Sequence, residues 1–334
     1  MSEQKQKNIT SVDVAKAAGV SRAAVSRTFS NNGYVSEETK QKVLKAADAL
    51  GYRVNHLARS LNRQRSDLIG LVVADMDNPF RSQQVSDLSE AILAKNHRPL
   101  LIPTAKDRDS SKVVDMLLHY NVSGVIITSD TPPENIFQMC ASSSVPVVLV
   151  NKQQTHESVD RVICDNRKGV ELLVSAFSDA NCKTLVVVSS MKDSFSIRSR
   201  EQIFCELAAE RGITTTTLYP ETHCYQGGMS AAKMLASKSA VPEGVFCAND
   251  YLALGVLDGL KEQLEAKCVA QIKVAGFDDM QQSSWNSYQL TTVKQSTEAM
   301  AKQCVDLLLS RINDPSQTSR TRTLDVSLIK RKTL

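Results

Sequence analysis

Two arginines stand in a run of small side chains, Ser21-Arg22-Ala-Ala-Val-Ser-Arg27. A guanidinium on so slender a helix suits one chemistry in particular. It can reach the paired acceptors of a guanine edge in the DNA major groove, while neighbouring hydroxyls hold backbone phosphates. Ser21 is a good N-cap for that helix. Before it, Thr10-Ser-Val-Asp-Val-Ala-Lys-Ala-Ala18 spaces Val12, Val14, Ala15 and Ala18 as the apolar face of a first helix. Gly19 supplies the turn and Val20 plugs the space between. The pattern predicts two short helices about a tight turn, the second presented to DNA. An ordinary solvated helix pair would share this spacing, but not the charge around it.

That charge is concentrated. Residues 1–66 carry 12 Lys and Arg against 5 Asp and Glu, a net of +7. The remaining 268 residues carry 28 against 31, a net of −3. A basic head on a slightly acidic body calls for a polyanion, bound more weakly as salt rises. A membrane surface fits poorly, because the head lacks a long basic helix with large apolar residues. No apolar run approaches the roughly 20 residues that span a bilayer, and the polar first residues hold no secretory signal. The eight cysteines are never closer than 18 residues and form no Cys-x-x-Cys pair. They read as reduced, small apolar side chains of a cytoplasmic protein, neither a disulfide framework nor a zinc site.

Catalytic motifs are missing. The chain has no Gly-x-Ser-x-Gly elbow, no phosphate-cradling glycine loop and no His-Glu-x-x-His, and its five histidines are scattered. No metal or cofactor is expected. An exported binding protein would have no use for the basic head, and a DNA-packing protein none for so large a body.

The elements that must position these residues follow in order. A third helix, capped by Ser36, carries Val43, Leu44, Ala46, Ala47 and Leu50 before Gly51 stops it, completing a head over residues 1–54. Residues 55–66, Asn55-His-Leu-Ala-Arg-Ser-Leu61 onward, form a helix-capable segment running into a polar linker. From residue 67 to 334 apolar strands alternate with amphipathic helices. Strands are predicted at Leu68–Ala74, Pro99–Pro103, Gly124–Thr128 and Val145–Val150, then at Thr184–Ser189, Gly212–Leu218, Gly244–Ala248 and Ile272–Phe277. Helices at Ser196–Arg211, Gly227–Lys238 and Tyr251–Glu265 fill the second series. Two successive β/α series imply an α/β core of two doubly wound parallel-sheet lobes, with ligands at the C-terminal ends of the strands.

Across its length the chain resembles the lactose-repressor/galactose-repressor family of bacterial transcription regulators. The residues that carry the resemblance are Val14-Ala-Lys-Ala-Ala-Gly-Val-Ser21 with Val25-Ser-Arg27, Gly33-Tyr-Val-Ser36, Gly51-Tyr-Arg-Val-Asn55 and Ala58-Arg-Ser-Leu61 in the head and linker. In the core they are Asn78-Pro-Phe80, Cys164-Asp-Asn166, Ala248-Asn-Asp250 and Gly276-Phe-Asp-Asp279. The resemblance implies a helix-turn-helix head, a hinge helix and a core like a periplasmic sugar-binding protein. Lobe one would take residues 67–165 and 296–320, lobe two residues 166–295 and 321–334.

It further implies a homodimer, or a tetramer built from it, on a pseudo-palindromic double-stranded operator. Arg22 and Ala23 would face base edges, with Thr10, Ser21, Ser26 and Arg27 on the backbone. Ala24 stands where the family commonly has threonine. Asn55, Leu57 and Ala58 would lie in the minor groove, where Leu61 would wedge between base pairs. A small effector, a sugar, sugar acid or sugar phosphate, would bind between the lobes at Phe80, Arg200, Asn249, Asp250 and Asp278, with Arg200 and Asp278 on opposite walls. His223 stands near a position often filled by an aromatic contact. Arg81 replaces a frequent second aromatic and would favour an anionic effector. Trp285, the only tryptophan, would line or roof the pocket.

Overall fold

The computed structural model describes residues 9–29, 34–52, 66–104, 110–128, 135–153, 159–191, 194–237 and 241–334. The chain divides into two units, Met1–Ser66 and Asp67–Leu334. The proposed minor-groove residues Asn55, Leu57, Ala58 and Leu61 lie outside the described residues.

In the first unit each described helix begins at a hydroxyl. Thr10 opens α1 (Ser11–Ala18) with a reciprocal cap: its N–H donates to Asp13 Oδ2 at 2.8 Å, and Asp13 N–H donates to Thr10 Oγ1 at 3.4 Å. Gly19 ends α1 at φ 65°, the left-handed conformation that glycine adopts without strain, and Val20 N–H closes back on Ala15 O at 3.0 Å. Ser21 caps α2 (Arg22–Thr28) and Ser36 caps α3 (Glu37–Ala49). Val14, Ala15, Val25, Val43 and Ala47 form the small core, flanked by Ala18, Val20, Phe29 and Leu50. Val12 is 55% exposed. Two residues along a helix turn the side chain by roughly 200°, so Val12 points away from Val14 and the expected apolar face loses it.

The second unit is built on two six-stranded sheets. The first has the order β11-β5-β4-β3-β1-β2, with β1 Leu68–Val73, β2 Arg98–Pro103, β3 Gly124–Ile127, β4 Val147–Val150, β5 Asp160–Cys164 and β11 Thr321–Leu324. Its described helices are α4 (Pro79–Ala94), α5 (Ser110–His119), α6 (Asn135–Ser142) and the returning α12 (Thr297–Asn313). The second has the order β12-β10-β9-β8-β6-β7, with β6 Thr184–Val188, β7 Thr214–Leu218, β8 Gly244–Cys247, β9 Lys273–Asp278, β10 Thr291–Gln295 and β12 Val326–Ile329. Its helices are α7 (Asn166–Asp179), α8 (Phe195–Glu210), α9 (Tyr225–Ala236), α10 (Asp250–Gln263) and the short α11 (Ala266–Val269). Every strand pair is parallel except β10 with β12. Strands β1, β3, β4 and β8 are buried almost throughout, as parallel strands covered on both faces must be.

The chain passes between the lobes three times: after β5, after β10, and between β11 and β12. The last passage departs from the expected boundary at residue 321. Thr321–Leu324 pairs with Arg161–Cys164 in the first sheet, so the crossing falls at Asp325. The cause is electrostatic. Fully buried Asp160 accepts from Arg311 Nε and Nη2 at 2.8 and 2.7 Å, and from Arg320 N and Nη2, both at 2.8 Å. Burial alone would raise its pKa, but these hydrogen bonds prevail and hold it below the ordinary carboxylate value. The start of β11 is thereby pinned beside β5.

Candidate functional site

The head presents a clean polar face. On α2 only Val25 is buried, while Ser21, Arg22, Ala23, Ser26 and Arg27 are exposed. Arg22, Ala23, Ser26 and Arg27 follow the i, i+1, i+4, i+5 pattern of one helix side, opposite the buried anchor. A helix held by one valine and flanked by alanines can enter a groove without steric obstruction. Thr10, by contrast, is occupied as the cap of α1.

In the second unit the polar side chains converge between the lobes. A cavity of about 30 Å³ is lined from lobe one by Asn78, Phe80, Arg81 and Asn151, and from lobe two by Ser194, Ser196, Ile197, Arg200, His223, Asn249 and Asp278, with Gln295 at the second passage. Most sit just beyond the C-terminal end of a strand or in the first turn of the following helix. Asn151, directly after β4, has φ 51°, and Asp278, ending β9, has φ 129°. Backbone strain of this kind concentrates where side chains must be aimed.

Arg200 is the hub. Its Nε donates to Asn166 Oδ1 at 2.9 Å, and its Nη1 donates to Ala248 O at 2.9 Å and to Asp278 Oδ1 at 3.1 Å. The guanidinium carbon lies 3.7 Å over the Phe277 ring. Arg200 and Asp278 therefore form a buried pair within lobe two, not opposite walls as expected, because α8 and β9 both belong to that lobe and the long Arg200 side chain reaches the end of β9. Gln295 Nε2 donates to the same Asp278 oxygen at 2.7 Å, and Asn151 Nδ2 donates to Gln295 Oε1 at 3.3 Å. Burial raises the Asp278 pKa above its ordinary value, despite Arg200 beside it. The network links the first passage at Cys164–Asn166 to the second at Gln295.

Among the described residues, specific contacts cross the cleft. Ser196 Oγ donates to Asn151 O at 3.3 Å, and His223 Nε2 lies 3.7 Å from Asp75 Oδ2. Phe80, half-buried, packs on the apolar core of lobe two. Asn249 touches the cavity, but its amide is largely spent: Oδ1 accepts from Leu252 N at 2.8 Å as the α10 cap, and Nδ2 donates to His223 O at 3.0 Å.

Two expected site residues lie elsewhere. Asp250 points into the body of lobe two, accepting from Met280 N at 3.0 Å, Ser283 Oγ at 2.6 Å and Thr292 Oγ1 at 2.5 Å. Burial, and then the Asp278 charge, push its pKa up to about 7. A Cβ at Gly276 would fall 2.2 Å from Asp250 Oδ1, so only glycine lets β9 pass this carboxylate. Trp285 is 51% exposed and borders no part of the cavity, since the 3-10 turn Gln281–Ser284 carries it outward.

A larger concavity of about 1200 Å³ runs along α4, the Asp278–Gln282 loop and the start of α12. It is an open groove that shares Phe80, Asp278 and Gln295 with the small cavity, with Glu90 and Lys95 exposed on its flank. Among the described residues no group of His, Cys, Asp or Glu could hold a metal ion, and no helix is long and apolar enough to cross a membrane.

Comparison with known proteins accords with this geometry. Residues 10–55 match the family described as bacterial regulatory proteins, lacI family, and residues 174–334 match the periplasmic binding protein-like domain. The sucrose operon repressor of Pediococcus pentosaceus is 30% identical over 326 residues, covering 95% of this chain and 97% of its own. The ribose operon repressor of Bacillus subtilis is 29% identical, covering 96% and 97%. The crystal structure of the lac repressor dimer bound to operator and the anti-inducer ONPF superposes with a TM-score of 0.87 at 26% identity, covering 98% of this chain and 99% of that one. The chain belongs to the lacI family of bacterial regulatory proteins, and is a DNA-binding transcription regulator, not an enzyme.

Proposed function

We propose that the chain represses carbohydrate-utilisation genes from the cytoplasm, as a homodimer whose operator affinity is set by a small sugar or sugar derivative held between the lobes. One observation carries this reading: a single cavity gathers polar groups from both lobes around a buried arginine–carboxylate pair. A carboxylate that accepts beside a guanidinium that donates suits the adjacent hydroxyls of a polyol. The operator named in the lac repressor dimer, and the sucrose and ribose operons named for two relatives, support the DNA and sugar assignments.

In the head, Arg22 and Ala23 read base edges, while Ser21, Ser26 and Arg27 hold phosphates, with Thr10 close to the backbone. Asn55, Leu57, Ala58 and Leu61 are assigned to the minor groove. In the core, Phe80, Arg200, Asn249 and Asp278 contact the effector, with Arg81 and His223 at its edge. Binding sites for such ligands enclose roughly 300–1,000 Å³, against about 30 Å³ here. Effector binding must therefore separate the Ser196–Asn151 and His223–Asp75 contacts. An effector that prefers one spacing of the lobes shifts the chain toward it, and that preference alone couples it to DNA affinity.

A thermal-melting screen of sugars, sugar acids and sugar phosphates, followed by operator titration with each hit, tests this. A compound that raises Tm is expected to change operator affinity, and Asp278→Asn is expected to weaken its effect about ten- to a hundredfold. A hit acting equally on parent and Asp278→Asn would remove the cavity from the proposal.

A further inference from the structure

We propose that Asn151 and Gln295 are positioning residues of the effector site. They form a one-way hydrogen-bond relay that ties the Asp278 carboxylate to two chain passages and so to the spacing of the lobes; this rests on the reading of the cavity as the effector site. Both amides are buried, at 3% and 5% exposure, and both line the cavity. Asn151 stands directly after β4 in lobe one, and Gln295 ends β10 at the second passage.

The direction of the relay is fixed at one end by a group that can only donate. Cys164 N–H, on the first passage, donates to the Asn151 side chain at 3.0 Å, so the amide must turn its oxygen there. That leaves Asn151 Nδ2 facing Gln295 Oε1 at 3.3 Å, with Met300 Sδ at 3.8 Å as a second acceptor. Gln295 then has only Nε2 to offer Asp278 Oδ1, at 2.7 Å. A backbone donor at the start and a carboxylate at the end leave neither amide free to flip. A reversed amide here would set N–H against N–H and oxygen against oxygen, each a buried polar group without its partner. Arg200 Nη1 and Gln295 Nε2 both take Oδ1, so among the described residues Oδ2 is the carboxylate oxygen left to a ligand.

The same asparagine meets the facing lobe. Its backbone oxygen accepts from Ser196 Oγ at 3.3 Å. Its φ of 51°, a left-handed value that asparagine tolerates better than most residues, aims main chain and side chain at different partners. Asn151 thus joins the cleft contact that must open for an effector to the carboxylate that receives one. An effector donor on Asp278 competes with Gln295, and the relay carries that change to the residue that holds the lobes together.

The test is a three-position mutant cycle on the full chain without ligand, at pH 8. It is read by thermal melting and by affinity for the duplex that the parent selects from a random pool. Asn151→Asp presents acceptors on both sides of Gln295, which must then turn its oxygen toward one of them. Tm is expected to fall and duplex affinity to change at least about tenfold. Asp278→Asn alone also lowers Tm, by removing the charged partner of Arg200. Together the two substitutions move the charge to position 151 and let the relay run in reverse. The double variant is therefore expected to melt above Asn151→Asp and to recover most of the parent's duplex affinity. Repulsion between carboxylates through space would also give a rescue, and Gln295→Met separates the two causes. With the middle amide gone, Asn151→Asp and Asp278→Asn are expected to act close to additively. A rescue undiminished by Gln295→Met would overturn the relay, as would no rescue at all. So would Asn151→Asp and Gln295→Met variants that melt lower yet bind the duplex as the parent does, since that marks a role in stability alone. Should Asn151→Asp not fold, a folded double variant is itself the rescue, and an unfolded one counts against the relay. These ligand-free arms are independent of the effector reading, which is judged by the sugar screen on parent and Asp278→Asn.

Discussion

Replacing Arg200 with methionine keeps most of the buried volume and deletes the cation at the centre of the polar network. Asp278 would retain Gln295 Nε2 at 2.7 Å but lose its charged partner at 3.1 Å. Asn166 Oδ1 and Ala248 O would each lose a donor at 2.9 Å. Removing one member of a buried pair costs about 3–5 kcal/mol, chiefly by leaving the other charge uncompensated. The carboxyl has an escape, because burial already raises its pKa and loss of Arg200 raises it further. In the variant, folded Asp278 then holds a proton that the unfolded chain releases near its ordinary pKa. The deficit is therefore smallest at low pH and widens as pH rises through the folded value. Urea denaturation of the full chain, followed by Trp285 fluorescence and circular dichroism, is expected to give a larger deficit at pH 8 than at pH 5. Adding Asp278→Asn should restore part of the loss, since no charge is then stranded. A deficit below about 1 kcal/mol at both pH values, or a double variant as unstable as the two losses added, would refute the pairing.

Other consequences are as direct. Arg22→Ala is expected to relax preference at one position of each half-site, whereas Arg27→Ala should weaken all duplexes alike and lower the salt slope; titrations on operator and random DNA at two salt concentrations separate them. Asp160→Ala strands Arg311 in the interior and unpins β11, and at about 3–5 kcal/mol should lower the Tm of the core by roughly 6–20 °C in a calorimetric scan. Asp250, with its pKa raised to about 7, binds a proton in the folded chain that the unfolded chain releases near 4. Its contribution to stability is therefore lost as pH climbs between those values and is constant above them. Relative to Asp250→Asn, the parent should gain stability on moving from pH 8 to pH 5.5 in parallel urea melts.

Much of the architecture was legible because it rests on local rules. Thr10, Ser21 and Ser36 are hydroxyl caps followed by helix-forming residues, and Gly19 ends α1 where the pattern placed a turn. The buried strands β1, β3, β4, β6 and β8 are continuous apolar runs. Strands β5, β10, β11 and β12 are not legible locally, because Asp160–Cys164, Thr291–Gln295, Thr321–Leu324 and Val326–Ile329 mix polar with apolar residues and form no continuous apolar run. Their pairing is fixed by distant partners, such as Asp160 for β11, which no local window contains.

The site was legible by chemistry and obscured in geometry. Arg200 and Asp278 are recognisable as a complementary pair, but 78 residues separate them, and only the fold of lobe two brings the two side chains into contact. Asp250 and Asn249 both begin α10, yet one turns inward to Ser283 and Thr292 while the other borders the cavity. Consecutive residues at a helix start face different directions, and spacing alone does not say which faces the ligand. Asn151 and Gln295 went unnoticed although both end strands, where ligands of this fold gather. For Gln295 the strand itself had not been read.

Selection of bound sequences from a random duplex pool by the full chain tests most directly that this is a sequence-specific regulator. Enrichment of a two-fold symmetric site is expected, bound at least about a thousandfold tighter than random duplex at physiological salt. Loss of that preference in Arg22→Ala would tie it to α2. A pool that emerges without a common sequence, bound no tighter than random DNA and through salt-dependent contacts alone, would contradict it.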